Sequence, residues 1–235
     1  MPMPARTAAE HFIQQTFPHC DVAFLGGSGA QKELTKHSDL DIVILDSTQP
    51  SAFYQCFFAF GWNIETFVYH RVSLSMAFAT SCFEGIPSIL RMCAEGMVLK
   101  DDGSATAIQA EAQERTRQVP SLWADEKHQE MRFMITDLLG DLNDSTCDKE
   151  KIFVAYKLFA LVSEFVLRAN GYWIGQGKWM YRSLLHFDPD FCDRYLEFFR
   201  HFMKTGEYKP FYTLIEEVLE QHGGRLFAGG YQKPL

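Results

Sequence analysis

The chain has 235 residues, a length that fits one large domain or two small ones. Hydrophobic residues make up 47% of the chain and aromatic residues 14%, which indicates globular, core-forming segments. The net charge of −8 argues against a nucleic-acid partner, because such a partner usually requires a basic face, although a local basic patch is compatible with this charge.

The first predicted elements are a short helix and two strands. An amphipathic helix is predicted over residues 7–17, ended by Pro18. Strands are predicted over 20–25 and 39–45. These two predicted strands flank a turn that begins with glycine and serine residues.

The first strand ends in Gly26, Gly27 and Ser28. Glycine accepts positive φ and lets the backbone approach a ligand closely. The hydroxyl of Ser28, together with backbone N–H groups at the start of a following helical turn, suits phosphate oxygens. This segment is therefore a candidate phosphate-binding turn.

Two aspartates open the second strand. Side chains alternate between faces along a strand, so Asp39 and Asp41 point the same way with Cα atoms about 6.6 Å apart. Their mutual repulsion favours divalent cations between them, and carboxylates with substrate phosphates are typical Mg²⁺ ligands. Two metals about 3.5–4 Å apart stabilise the attacking and leaving oxygens in phosphoryl chemistry. The alternative is a strand–turn–strand with solvated aspartates.

A third candidate carboxylate lies in the next predicted strand. Pro50 is predicted to start a helix that runs through Phe60, followed by a strand over residues 62–70. Glu65 lies inside that strand, where a charged side chain costs free energy unless it is paired or bound to a metal. The alternative is a residue of an edge strand that faces water.

The remaining pattern divides the chain into two predicted domains. Two helices over 72–84 and 87–95 and a strand over 97–100 complete the first. Helical periodicity then continues to the end, with helices predicted over 104–118, 122–142, 149–169, 178–187, 189–204 and 210–221. The sequence thus predicts an α+β fold: a mixed β-sheet with flanking helices over residues 1–103, followed by an all-α helical bundle over 104–235.

The helical half contains one charged face of interest. Lys157, Glu164 and Arg168 are spaced by seven and four residues, so they share one side of a helix. If this face is functional, Glu164 would take a proton from an acceptor hydroxyl, and Lys157 would contact a triphosphate. The alternative is a solvated stripe with an ordinary ion pair between Glu164 and Arg168.

A second segment, Gly175 to Arg182, combines glycines, aromatic residues and cations. Lys178 and Arg182 are four residues apart on one helical face and are suited to clamp phosphates. Trp179 or Tyr172 could stack on a base. The alternative is a helix start with a core tryptophan. The chain has no Walker A sequence, which argues against a P-loop ATPase.

The six cysteines form no C-x-x-C pair, so neither a zinc site nor a redox motif is indicated. Residues 1–10 lack the basic segment and apolar core of a secretory signal. The most apolar predicted helix, residues 152–167, is interrupted by charges and too short to span a bilayer. We therefore expect a cytoplasmic protein without a membrane partner; its oligomeric state is not predicted.

Gly27-Ser28, nine further residues, and then Ser38-Asp39-Leu40-Asp41 with an apolar continuation resemble the signature of the DNA polymerase β-like nucleotidyltransferase superfamily. More narrowly, the motif resembles the minimal and aminoglycoside-modifying nucleotidyltransferases. The resemblance covers about residues 20–102. Many members carry a glycine where this chain has Glu33. The Lys-Trp-x-x-Arg-x-Leu pattern at 178–184 is similar to helical domains attached to nucleotidyltransferases of unassigned substrate.

The resemblance implies that an acceptor hydroxyl attacks the α-phosphorus of a nucleoside triphosphate, such as ATP, and that pyrophosphate leaves. Asp39 and Asp41 would hold two Mg²⁺ ions, and Glu65 the one that activates the acceptor. Gly27 and Ser28 would bind the triphosphate. The helical domain would close over the nucleotide, with at least one of its candidate cations facing Ser28 and Asp39; these cations are Lys157, Lys178 and Arg182.

Three kinds of acceptor are considered. The first is a small molecule with a hydroxyl, such as an aminoglycoside-like antibiotic, which would want an acidic pocket that the net charge permits. The alternative is a regulatory or antitoxin-like nucleotidyltransferase that acts on or binds a protein partner. An RNA acceptor would require a basic stripe, which the acidic composition disfavours.

Overall fold

The computed structural model describes residues 3–27 and 38–227. The chain separates into two compact units, which we call the sheet unit, residues 1–119, and the helical unit, residues 120–235. The fold is α+β, as the sequence predicts. The sequence suggested a boundary after residue 103, whereas the two units divide at Pro120, so the helix between these points groups with the sheet.

The sheet unit contains a mixed five-stranded sheet with flanking helices. The described elements are α1 (Ala5–Thr16), β1 (Val22–Leu25), β2 (Leu40–Leu45), β3 (Phe53–Ala59), β4 (Trp62–Tyr69), α2 (Arg71–Glu84), α3 (Ser88–Ala94), β5 (Met97–Lys100) and α4 (Ala105–Arg117). The strands run in the order β3-β4-β2-β1-β5; β2 and β4 are parallel, and the other neighbours are antiparallel.

One face of this sheet forms the main core with α1. Leu40, Ile42 and Ile44 alternate along β2 and are completely buried, as their period-2 spacing requires of residues on one face. They pack with Phe12 and Ile13 of α1. The opposite face of β1 and β2 is contacted by α3. Alternation therefore turns the intervening Asp41 away from the α1 core.

The predicted helix from Pro50 through Phe60 is wrong, because residues 53–59 form strand β3. Phe60 and Gly61 form a two-residue hairpin loop with φ of 55° and 83°, and Ala59 pairs with Trp62. Positive φ at both loop positions matches the twist of a hairpin. The run of aromatic residues therefore packs as a strand on β4, where it forms an edge of the sheet.

The helical unit contains five described helices that match the predicted periodicity: α5 (Asp125–Asp144), α6 (Asp148–Ala169), α7 (Lys178–Phe187), α8 (Pro189–Thr205) and α9 (Lys209–Gln221). Tyr195 of α8 is completely buried, and its ring stacks on Phe159 of α6 with 4.9 Å between centroids. Its hydroxyl donates to the Phe159 carbonyl at 2.8 Å, which satisfies the buried polar group. Among the described helices, none is both long and apolar enough to cross a membrane.

Candidate metal centre

Three carboxylates meet on the face of the sheet opposite the α1 core. The parallel register places Asp41 of β2 directly beside Glu65 of β4, and Asp39 lies two residues before Asp41 on the same face. One oxygen from each carboxylate lies within 4.8 Å of those of the other two, and all three residues are half-buried. The structure thus brings together the three acidic residues that the sequence selected.

The donor set fits a hard divalent cation. Three negatively charged groups this close repel one another unless a positive charge lies between them. Carboxylate oxygens are preferred ligands of Mg²⁺, and two oxygens on opposite sides of one Mg²⁺ are about 4.2 Å apart, twice the bond length. The spread of these oxygens is therefore suited to shared cations, and their role as metal ligands is a prediction that this geometry supports.

The glycine turn is packed directly against Asp41. Gly27 has a φ of +57°, and a Cβ at this position would overlap Asp41 Oδ2. The amide of Gly26 donates to the Asp41 carbonyl at 2.8 Å, and a Cβ at Gly26 would lie 2.6 Å from Cγ of Met92. Gly26 is thus required by space next to α3, and Gly27 is favoured by its positive φ beside the Asp41 carboxylate. Ser28 lies outside the described residues, so its phosphate-binding role stays a prediction.

Strand β3 adds residues that the sequence analysis missed. Cys56 pairs with Glu65 across the antiparallel register, and the Cys56 thiol donates to the Tyr54 hydroxyl at 2.9 Å. The pKa of Tyr54 is raised above its usual value, first by its hydrogen bond with Cys56 and further by the neighbouring carboxylate of Glu65. The Tyr54 phenol therefore stays protonated beside the cluster. If residues 53–59 are taken as a strand, the two-residue alternation puts Tyr54 and Cys56 on one face. The sequence analysis missed this because it predicted a helix there.

The predicted cationic residues of the helical unit are accessible. Lys157, Lys178 and Arg182 are all exposed. The guanidinium of Arg182 lies 4.5 Å from the centroid of the Trp179 ring, so this tryptophan already has a stacking partner. The placement of these cations against Asp39 stays a prediction.

The charged face of α6 is not a uniform solvated stripe. Lys157 is exposed and Glu164 half-buried, but Arg168 is only 2% exposed. Arg168 Nη2 donates to the Ser121 carbonyl at 2.7 Å, and its guanidinium lies 5.6 Å from the centroid of Trp123. Burial lowers the pKa of Arg168, and the charge of Glu164 opposes that shift. Arg168 thus anchors the start of the helical unit, while Glu164 keeps partial access to solvent.

Comparisons with known proteins give little further information. Neither the search of protein-family models nor that of curated proteins returns a match. Among solved structures, a nucleotidyltransferase-like protein from Exiguobacterium sibiricum 255-15 aligns with a TM-score of 0.42 and 10% sequence identity. The alignment covers 92% of this chain and 80% of that one.

Proposed function

We propose that the protein is a metal-dependent nucleotidyltransferase that moves a nucleoside monophosphate from a nucleoside triphosphate to a hydroxyl group. The observation that carries this proposal is the carboxylate cluster of Asp39, Asp41 and Glu65. Its support is the glycine turn packed against Asp41, since Gly27 leaves room for the carboxylate and brings backbone to the same place. Backbone N–H groups at such a turn bind phosphate oxygens.

In this proposal the protein acts mainly by positioning and by neutralising charge. Divalent cations held at the cluster would neutralise phosphate oxygens and lower the pKa of the acceptor hydroxyl. Asp39 and Asp41 would hold two Mg²⁺ ions, and Glu65 would hold the one nearer the acceptor. The acceptor oxygen forms a bond to the α-phosphorus, and the bond to the pyrophosphate oxygen breaks.

The helical unit would supply the remaining contacts. Lys157, Lys178 and Arg182 are exposed, so their charged groups are solvated and accessible, which suits a contact with a triphosphate. Glu164 is the proposed acceptor of the hydroxyl proton. Replacing Lys178 with alanine should weaken triphosphate binding by about 1.5–3 kcal/mol and leave nucleoside binding nearly unchanged. Lys204→Ala is the matched control at another exposed lysine; equal losses for triphosphate and nucleoside would remove Lys178 from the site.

ATP is the proposed donor, and a small hydroxylated molecule the proposed acceptor. The second candidate is a regulatory or antitoxin-like enzyme with a protein acceptor. It is favoured by an exposed apolar row on α2, where Val72, Met76 and Phe83 are 66%, 65% and 75% exposed. Exposed apolar rows of this kind are typical of surfaces that contact other proteins.

The decisive experiment is a pyrophosphate-release screen that crosses each nucleoside triphosphate with hydroxylated small molecules and with proteins, with and without Mg²⁺. We expect Mg²⁺-dependent release that Asp41→Asn abolishes. Glu111→Gln, a change at a surface carboxylate paired with Arg115, should retain the activity. Full activity in Asp41→Asn, or no Mg²⁺-dependent release with any pair, would contradict the proposed function.

A further inference from the structure

The outer side of strand β3 presents a row of uncharged side chains to solvent. Alternation along the strand turns Phe53 and Phe57 toward the α1 core, where they are half-buried. The intervening residues Tyr54, Cys56 and Phe58 point the other way, and we call them the β3 ledge. Tyr54 is 54% exposed and Phe58 77% exposed. Two large aromatic side chains so exposed on one rigid strand are a marked apolar surface.

The β3 ledge adjoins the carboxylate cluster. Asp41 pairs with Glu65, and Glu65 pairs with Cys56, so these three side chains form one line across β2, β4 and β3. With neighbouring strands about 4.8 Å apart, the line from Asp41 to Cys56 spans about 10 Å. That is the length of a small organic molecule, so a ligand lying on the ledge would reach the cluster.

The ledge is also fixed in position. The Tyr54 ring lies against Phe67 of β4, with 5.1 Å between the ring centroids. The Tyr54 hydroxyl accepts a hydrogen bond from the Cys56 thiol at 2.9 Å. Because the Tyr54 ring is held by Phe67 and Cys56, ordering this ring would cost a bound ligand little free energy.

The charge of β3 restricts what it can recognise. None of the seven residues of the strand, Phe53–Ala59, is charged, in a chain with a net charge of −8. The carboxylate that pairs with this strand, Glu65, belongs to the proposed metal centre, where cations would neutralise it. A polycation would therefore find no ion-pair partner on the ledge, whereas a neutral flat molecule would find two aromatic rings with a hydroxyl and a thiol between them.

We propose that the β3 ledge is the acceptor subsite, and that the acceptor is an uncharged hydroxyl compound with an aromatic or flat apolar ring system. The inference rests on the proposed function. The ring would lie on Tyr54 and Phe58, with its hydroxyl directed toward the cluster. In the transfer, the acceptor oxygen bonds to the α-phosphorus and its proton passes to Glu164, the proton acceptor of the proposed function. The bond to pyrophosphate breaks with its electron pair on the departing oxygen.

The test uses the full chain and 2-naphthol, a neutral, fluorescent, flat hydroxyl compound. Titration without nucleotide measures binding alone, and we expect Phe58→Ala to weaken it about tenfold, the loss expected for an aromatic contact with its buried area. Phe153→Ala is the matched control, because Phe153 is 78% exposed on α6 and lies outside the ledge. The control should bind 2-naphthol like the unchanged protein.

Transfer is then measured with labelled nucleoside triphosphate and three acceptors: 2-naphthol, an aminoglycoside and glycerol. Labelled 2-naphthol, with an acceptor KM that rises in Phe58→Ala, supports the proposal. Transfer to the aminoglycoside with a KM that Phe58→Ala does not change supports the proposed nucleotidyltransferase function. It contradicts the assignment of the β3 ledge as the acceptor subsite. Binding of 2-naphthol without transfer to any acceptor overturns the acceptor role together with the proposed function. A concentration-dependent dimer abolished by Phe58→Ala assigns the ledge to a second copy of the chain and also overturns it.

Discussion

At the scale of single residues, the glycine turn and the aspartates depend on each other. Gly27 has a positive φ, and a Cβ at this position would overlap Asp41 Oδ2. Gly27→Ala should therefore reduce Mn²⁺ affinity and cost about 1–2 kcal/mol of folding free energy, since an L-residue is disfavoured in the left-handed region. Calorimetric titration with Mn²⁺ and urea unfolding measure the two effects.

The control for this change is Gly140→Ala. Gly140 lies within α5 and has no atom within 4 Å of a built Cβ. Alanine should stabilise the helix there by about 0.5–1 kcal/mol, because glycine loses more backbone entropy on folding. Unchanged Mn²⁺ affinity in Gly27→Ala would show that the turn does not shape the metal centre.

The carboxylate cluster predicts opposite effects on stability with and without metal. Without cations, Asp41→Asn should leave the Tm unchanged or raise it, because the like-charge repulsions with Asp39 and Glu65 are removed. With saturating Mg²⁺, the unchanged protein should gain Tm, because the cation binds the folded state, and the variant should gain much less. Differential scanning calorimetry at several Mg²⁺ concentrations measures this; equal gains would place the metal elsewhere.

At the scale of elements, the sequence predicted much of the fold but not β3. The carboxylate spacing in β2 and the acid within β4 were readable, because each depends only on the two-residue period of a strand. The register that puts Asp41 beside Glu65 was not readable, since it depends on which strands become neighbours. The ledge was missed because Pro50 suggested a helix start, whereas Phe60-Gly61 determines a hairpin.

The strand assignment has a direct test in two adjacent phenylalanines. Phe57 packs against the α1 core, and its ring lies 5.0 Å from that of Phe12, whereas Phe58 is 77% exposed. Phe57→Ala should cost about 2 kcal/mol, less than a fully buried phenylalanine, and Phe58→Ala less than about 0.5 kcal/mol. Urea denaturation measures both; similar losses would contradict the alternation of β3.

At the scale of the whole molecule, the two units differ in the charge of their candidate functional residues. The sheet unit holds the acidic cluster, and the helical unit holds the accessible cations predicted from the sequence. Helix bounds in the helical unit were predictable to within a few residues, because apolar periodicity specifies them. The sequence did not predict the burial of Arg168, because spacing alone does not show which helices cover a face.

The helical unit should lose stability in mild acid. Burial, together with the nearby Arg132 charge, lowers the pKa of His128 and His222 below the ordinary value of 6.5, and their rings are 5.9 Å apart. The unfolded chain therefore binds more protons below pH 6.5 than the folded chain does. Their contribution to stability is complete above pH 6.5 and is lost progressively as the pH falls from there toward the lowered pKa values.

Urea unfolding followed from about pH 7 to pH 5.5 measures this dependence, above the range where most carboxylates titrate. His128→Asn should flatten the curve. Lys127→Gln changes the neighbouring residue, which pairs with Glu130 on the surface, and should keep the slope. A slope that survives in His128→Asn would exclude this histidine as its source.

The order of strands in the sheet has a consequence for folding kinetics. β3 and β4 pair through a two-residue loop, but Asp41 and Glu65 are brought together only by the parallel pairing of β2 with β4. A local hairpin closes early, whereas pairing across a long intervening segment is slow because its loop-closure entropy comes first. The ion site is therefore completed late, after the hairpin has formed. A bound cation would then slow unfolding, which lengthens the lifetime of the native state, and would leave the folding rate almost unchanged.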